Sequence, residues 1–491
     1  MQEVSRNLET ITKHSVVHSL LWKFFERCSV QIITFIVTIV LARLLNPQEY
    51  GTIALVLVFV NVAGVIVEGG LNTALIQKKD SDQIDFSTIF YATLGVALIL
   101  YAILYFTAAD IAAFYKNSSL EAVVKVLGIS LFFFAVNSIQ KAYLSKRMLF
   151  KKLFYSSFGA VVVSGTIGIY LAWKGCGVWA LVAQSFLTQA CTTLIMFITV
   201  KWYPSLQFSW QRFKLLFNYG WKIFASNMLV SASINVRSLI IGKVYTSSAL
   251  ALFDRGKQFP ALIIDNINSS IQAVLFPVLS GLQDNRDSVK TLVRRSIKTS
   301  AFVIFPLVVG LSIFAEPLIL SLLTSKWIGA IPYVRIFCIA YLLMPMQIAN
   351  LEAIKSLGYS GTTLKLELYK KIIEFIVLLI TIPISVYFIA WGIVFYNFIA
   401  LIINVRPNTK ILNYGLAEQL KDIFPTLAIS LLMGIIVFPI TLMPINPTFM
   451  IIAGGVAGIA VYGILAALSH NETYIYIKAT LLERIKHKSS I

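Results

Sequence analysis

The stretch Asn235–Asn268, NVRSLIIGKVYTSSALALFDRGKQFPALIIDNIN, sets two apolar runs on either side of a short polar turn at Thr246 and Ser247. Runs of that length and apolarity read as membrane-spanning helices. Arg237, Asp254, Arg255, Lys257 and Asp265 lie inside them. A charge at membrane depth costs between roughly 3 and 17 kcal/mol depending on the reference, so it normally faces a bundle interior or a wet cavity and is paired. The rest of the chain reads as the wall around that cavity.

Of the 491 residues, 58% are hydrophobic and 13% charged, about half the charged share of a soluble domain. The apolar runs suit helices of roughly 20 residues and lack the alternation of outer-membrane barrel strands. The reading is an all-α polytopic membrane protein. Apolar segments fall at 18–44, 50–74, 86–108, 120–140, 153–173, 178–200, 216–243, 249–276, 297–322, 331–353, 364–386, 389–405, 422–441 and 448–468, which predicts about 14 transmembrane helices. Short loops leave no extramembrane domain to house an enzyme. The polar leader MQEVSRNLETITKHS carries no short apolar core with a small-residue cleavage site, so the first span is expected to act as its own insertion signal. Cys28, Cys191 and Cys338 fall in spans and Cys176 in a turn, a set that reads as packing residues and not as a disulfide framework.

The net charge of +19 is spread over many short loops, which points to a membrane and not to nucleic acid. With the N-terminus inside, inner loops hold groups such as Lys141, Lys146, Arg147, Lys151 and Lys152, or Arg286, Lys290, Arg294, Arg295 and Lys298. The opposite loops hold little beyond Arg43, Lys116, Lys174, Lys243 and Lys326. This positive-inside bias predicts cytoplasmic N- and C-termini. Trp22, Trp202, Trp210 and Trp221 are expected at one interface and Trp173, Trp179, Trp327 and Trp391 at the other.

A faint repeat of about 200 residues pairs Trp22-Lys23 with Trp221-Lys222. Six spans between the two starts give both halves the same orientation. The expected organisation is two six-helix lobes around a central cleft, 1–205 and 206–415. An extra helical pair follows at 416–470, and then a tail at 471–491. In that tail Tyr474, Ile477, Leu481 and Ile485 recur at helical spacing, which reads as an amphipathic helix on the cytoplasmic leaflet or as a frayed basic tail.

Glu26 and Arg27 sit early in the first span with Gln31 one turn past Arg27. Adjacent residues point about 100° apart on a helix, so each of the two charges seeks a partner elsewhere, Glu68 being one for Arg27. They read either as a packing clamp or as cavity residues. Arg237 and the group Asp254, Arg255 and Lys257 flank the turn at similar distances, which in an antiparallel hairpin predicts the same depth. Asp254 neutralises one cation. The surplus fits an anion, for which the planar Arg fork suits phosphate, or else Lys257 or Arg255 snorkels to the interface. Asp265 and Glu68 read as a proton or sodium site, or as charges paired with nearby cations. Asn61, Gln31 and Asn235 are candidate contacts for sugar hydroxyls. No P-loop is present, and the four histidines lie near the chain ends, so neither an ATPase nor a metal cluster is expected.

FFERCSVQIITFIVTIVLARLLNPQEYG, VEGGLNTALIQKKD, QKAYLSKRMLFKKL, GVWALVAQ, SLIIGKVYTSSALALFDRGKQFP, VLFPVLSGLQDN and AEPLILSLLTSKW occur in that order. On these stretches the chain resembles the polysaccharide transporter family, Wzx-like flippases or lipopolysaccharide biosynthesis proteins, of the multidrug/oligosaccharidyl-lipid/polysaccharide exporter superfamily. The resemblance implies a MATE-like two-lobed fold and movement of undecaprenyl-diphosphate-linked oligosaccharide, or a related polysaccharide unit, from the cytoplasmic to the periplasmic leaflet. It further implies alternating access driven by an Na⁺ or H⁺ gradient, no other cofactor, and a bacterial plasma membrane location, the inner one where there are two. Membrane lipids, a polysaccharide polymerase and assembly proteins are its implied partners. The family's Glu-Arg-x-x-x-Gln pattern falls on Glu26, Arg27 and Gln31, its acidic-Ser/Gly-Gly pattern on Glu68, Gly69 and Gly70, and its Asn-Arg pair on Asp254 and Arg255. Asp254 stands where Asn is usual, Arg237 where an uncharged residue is common, and Ala251 where Gly is seen.

Two rival functions use the same spans. A drug or metabolite antiporter for cationic compounds needs an acidic cleft, opposite in sign to the Arg surplus here. A non-transporting scaffold of a polysaccharide-assembly complex needs no cavity-facing charge.

Overall fold

The computed structural model describes residues 13–78, 80–200, 202–476 and 478–479. Among these the regular elements are helices alone. By contacts the chain divides into two compact units, Met1–Ala251 and Leu252–Ile491. The first holds α1 (Lys13–Leu44), α2 (Pro47–Glu68), α3 (Leu71–Gln77), α4 (Gln83–Phe114), α5 (Ser119–Gly128), α6 (Ser130–Lys146), α7 (Phe150–Trp173), α8 (Val178–Val200) and α9 (Trp210–Val244). Helix α10 (Ser247–Gly281) starts in the first unit and runs on in the second. The second continues with α11 (Arg286–Ile313), α12 (Ala315–Leu322), α13 (Ile331–Tyr341), α14 (Met344–Ser356), α15 (Ser360–Thr381), α16 (Val386–Ile411), α17 (Leu416–Val437) and α18 (Pro447–Leu468).

Twelve helical segments among the described residues are long and apolar enough to cross a membrane, against about fourteen expected. The expected spans 249–276 and 364–386 lie in α10 and α15, which are helical but not among the twelve. Helix α15 carries Lys365, Glu367, Lys370, Lys371 and Glu374, too many charges for an apolar window. Helix α10 crowds Asp254, Arg255 and Lys257 into one turn. Outward-facing apolar side chains such as Phe106, Ile198, Leu229, Ile435 and Ile459 are exposed over long stretches. That is the pattern of a surface solvated by lipid, and the chain is a multi-pass membrane protein.

Inside each unit polar side chains are buried, because lipid-facing Leu and Ile give helices no reason to associate and packing with interhelical hydrogen bonds does. In the first unit Asn137 of α6 donates to Gln189 Oε1 of α8 at 3.2 Å and accepts from Thr193 Oγ1 at 2.8 Å. In the second, Asn350 of α14 donates to Gln419 Oε1 of α17 at 2.8 Å and accepts from Asn408 of α16 at 2.7 Å. All three of these amides are fully buried. Asn350→Leu strands Gln419 Oε1 without its donor and removes the Oδ1 that Asn408 and Gln419 share, although Asn408 keeps the residue-350 carbonyl at 2.9 Å and Gln419 the Tyr414 carbonyl at 3.2 Å. Interhelical bonds in lipid average well under 1 kcal/mol each, but a stranded buried amide costs about 1–3 kcal/mol, so the expected destabilisation is about 2 kcal/mol, read as a lower melting temperature in detergent.

Helix α9 is fastened into the first unit along its length. Gly70 and Gly220 meet at the α2–α3 break, where a Cβ on Gly70 would stand 2.4 Å from the Gly220 carbonyl oxygen. Tyr115 donates to the Leu239 carbonyl at 3.5 Å, and Lys243 donates to that of Phe114. The sequence repeat assigns α9 to the second lobe, starting at residue 206; in contacts it packs within the first unit. Two of the expected interface tryptophans are interior. Trp202 is 4% exposed, wedged against Phe86, Phe90 and Tyr143, with its indole N–H donating to Gln83 Oε1 at 2.7 Å. Trp327 is fully buried. Each has a polar partner inside, an indole acceptor for one and a cation for the other, which removes the need for a wet interface. Cys176 is exposed in its turn and does not pack, whereas Cys338 is buried.

Of the expected tail helix at 471–488, Glu472–Tyr476 is helical, and 480–491 lie outside the described residues.

Candidate functional site

Helices α2 and α9 run antiparallel, with Leu55 against Gly242; Gly51 of α2 meets Ser247 at the start of α10, and Gly70 of the α2–α3 break meets Gly220 of α9. That register places Asn61 within about a turn of Asn235, and Arg237 lies two residues on, about 3 Å further along α9 and about 200° around it. Asn61 is exposed, and Asn235 and Arg237 are half-buried. Asn235 donates to the Ser231 carbonyl at 2.8 Å and to its hydroxyl at 3.0 Å, which fixes the amide and leaves its carbonyl oxygen as an acceptor. Within the first unit the structure thus brings three of the expected residues to one level.

On α1, Arg27 is exposed and Glu26 and Gln31 are half-buried. Glu68 ends α2 ahead of the left-handed pair Gly69 (φ 54°) and Gly70 (φ 67°), and Lys141 of α6 is a cation whose charge acts on it, where the sequence offered Arg27.

The second unit holds Asp254, Arg255, Lys257 and Asp265. Arg255 is 8% exposed, with its guanidinium carbon 5.4 Å from the Trp327 ring and an N–H donating to Gln258 Oε1 at 2.6 Å. Gly256 makes room for this: a Cβ there would meet Tyr333 Cβ at 2.2 Å, so α10 lies directly on α13. Stacking over an indole stabilises a desolvated guanidinium, whose planar fork is the group suited to an anion. Asp254 and Lys257 are half-buried, and Asp265 is exposed further along α10. Arg237 and Arg255 belong to different compact units.

The sequence reading missed a polar clamp at one end of the first unit. Asp82 and Asp85 form a reciprocal capping box at the start of α4, with Asp85 N–H donating to Asp82 Oδ1 at 3.0 Å and Asp82 N–H to Asp85 Oδ2 at 3.1 Å. The buried Asp85 side chain also takes Lys78 Nζ at 2.6 Å and lies 3.3 Å from an Arg212 nitrogen. Arg212 reaches Asp82 as well, and Lys146 donates to Ser81 and to the carbonyl of Lys78. Burial pushes the Asp82 carboxyl up, but the Arg212 hydrogen bond, the Asp85 N–H and the charges of Arg212 and Lys78 outweigh it and hold it below its usual range. The spacing Asp-x-x-Asp before an apolar run was the available signal.

Comparison with known proteins settles the family. A family model described as "Polysaccharide biosynthesis protein" matches residues 40–332, well over half of the chain. The chain belongs to this family. Relatives of this polysaccharide biosynthesis protein include the succinoglycan biosynthesis transport protein ExoT of Rhizobium meliloti, 22% identical over 67% of each chain. The teichuronic acid biosynthesis protein TuaB of Bacillus subtilis is 21% identical over 89% of this chain and 90% of its own. The lipopolysaccharide biosynthesis protein WzxC of Escherichia coli is 20% identical over 62% of each. Among solved structures, the lipid II flippase MurJ in an inward closed conformation superposes with a TM-score of 0.75, covering 93% of this chain and 99% of its own at 14% identity. A MATE family multidrug transporter in an inward-facing conformation gives 0.58, covering 78% and 94%, also at 14% identity. The polysaccharide biosynthesis protein thus has the fold shared by MurJ and MATE transporters.

Proposed function

We propose that this protein is a transporter, and not an enzyme, that moves a lipid-diphosphate-linked oligosaccharide from the cytoplasmic to the outer leaflet by alternating access. The observation that carries the reading is the pair of cationic positions on consecutive helices, Arg237 on α9 and Arg255 over Trp327 on α10, in a protein otherwise built of apolar spans. A diphosphate is the part of such a substrate that an Arg fork recognises, and Asn61 and Asn235 suit the sugar hydroxyls. The prenyl chain stays in lipid. Glu26, Glu68, Asp254 and Asp265 are the candidates for coupling to Na⁺ or H⁺, and Gln31, Arg27 and Lys257 are further candidate substrate contacts. Both termini face the cytoplasm of a bacterial plasma membrane. The names of the relatives, succinoglycan transport among them, support this reading.

In a deletion strain, sugar-lipid accumulates on the cytoplasmic side, and wild type restores export. Arg237→Gln/Arg255→Gln is expected to restore less than a tenth of it. Each lost charge-assisted hydrogen bond is worth about 1.5–3 kcal/mol, roughly ten- to a hundredfold. Full restoration by the double variant, at equal protein level, removes the anion site. Export unchanged in the deletion, with efflux of cationic compounds lost, supports the antiporter.

A further inference from the structure

Beyond the cleft, a recess of about 390 Å³ opens in the second unit between the first half of α11 and the segment Glu472–Tyr476. Arg294, Arg295, Lys298, Thr291 and Thr299 line one side and Glu472, Thr473 and Tyr476 the other. Every charge of α11 lies at or before Lys298, and the fifteen residues from Thr299 to Ile313 carry none. The recess therefore sits at the border between polar surface and apolar span, the level of lipid head groups.

Two of the three lining cations are occupied. Arg294 meets Asp422 at 2.5 Å and Glu418 at 3.4 Å; Lys298 meets Glu472 at 2.7 Å and Asp422 at 3.4 Å. Lys290 shares Glu418 at 3.3 Å. Among the described residues Arg295 has no carboxylate within ion-pair distance, and its guanidinium carbon lies 4.4 Å from the Tyr476 ring centre. Lys290, Arg294, Arg295 and Lys298 against Glu418, Asp422 and Glu472 leave one positive charge.

We propose that this recess binds the head group of an anionic phospholipid, its single phosphodiester charge meeting Arg295. The planar fork of Arg295 donates two parallel hydrogen bonds to phosphate oxygens, and the Thr291 and Thr299 hydroxyls donate beside it. The acyl chains lie along the uncharged part of α11. A zwitterionic head group brings its own cation into a cationic recess and is disfavoured. This inference stands on local charge and does not depend on what the protein transports.

The test uses the full-length protein in detergent, with bound lipid counted by native mass spectrometry and melting temperature followed on adding phosphatidylglycerol, phosphatidylcholine or inorganic phosphate. Phosphatidylglycerol alone is expected to bind and to raise the melting temperature. Arg295→Gln is expected to weaken that binding about tenfold or more, Arg295→Lys to weaken it less, and Lys174→Gln, an exposed residue of the first unit that does not line the recess, to leave it unchanged. Equal phosphatidylglycerol affinity in Arg295→Gln overturns the site. Stabilisation by inorganic phosphate to the same extent overturns the lipid as its source. Arg295→Lys keeps the charge, so it remains informative if Arg295→Gln folds poorly.

Discussion

Replacing Asp85 by Asn is expected to destabilise the first unit by about 2–3 kcal/mol. Stripping one partner from a fully buried ion pair costs about 3–5 kcal/mol, because the remaining charge is left in a low dielectric. Asp85 is itself completely buried, but its partners Lys78 and Arg212 retain 28% and 34% side-chain exposure and can turn toward water, which lowers the figure. Asn preserves the shape and one accepting oxygen for the Asp82 N–H while removing the charge. The cause is tested by adding Lys78→Met. If the loss comes from a stranded cation, the double variant regains part of the melting temperature; if the two losses simply add, the ion pair is not what Asp85 supplies.

The second large effect is Gly70→Ala, expected to cost about 3 kcal/mol or more and to reduce the folded yield. Its φ of 67° lies in the left-handed region, where a Cβ costs roughly 1–2 kcal/mol. The new carbon would also stand 2.4 Å from the Gly220 carbonyl oxygen and 2.9 Å from the Phe224 nitrogen, both backbone atoms that no rotamer change can clear. Such overpacking adds about 1–3 kcal/mol. Gly69 is the internal control. It has a similar φ of 54° but only ordinary contacts, the nearest at 3.5 Å, so Gly69→Ala should show the backbone strain alone. Equal losses for the two alanines, read by thermal melting, would mean that the crossing of α9 contributes nothing.

The order of the helices was legible because a run of apolar residues long enough to cross a bilayer has few other readings. Helix α15 shows where that logic thins. Its five charges fall between a polar start, 360–363, and one apolar run, 375–380, and length alone made it a span. Trp202 and Trp327 show a second limit, since an interface indole and an interior indole have the same sequence surroundings and only the acceptor Gln83 or the cation Arg255 separates them. The charged residues of the site were conspicuous because charge is rare in such a chain. What surrounds them was not: that Arg255 lies on an indole depends on a residue 72 positions later, reached because Gly256 lets α13 come close. The Asn350, Asn408 and Gln419 network was equally hidden, because a single amide in an apolar run shows no partner until three helices are side by side.

The fastening of α9 to α2 and α3 also orders events at the ribosome. Spans enter the membrane one after another as they are made, yet the backbone at Gly70 is met by Gly220 and Phe224 of α9, whose last residue is Val244. About half of the polypeptide must therefore be synthesised before the first unit is closed. Until then the α2–α3 break lacks the α9 backbone that it meets in the folded unit.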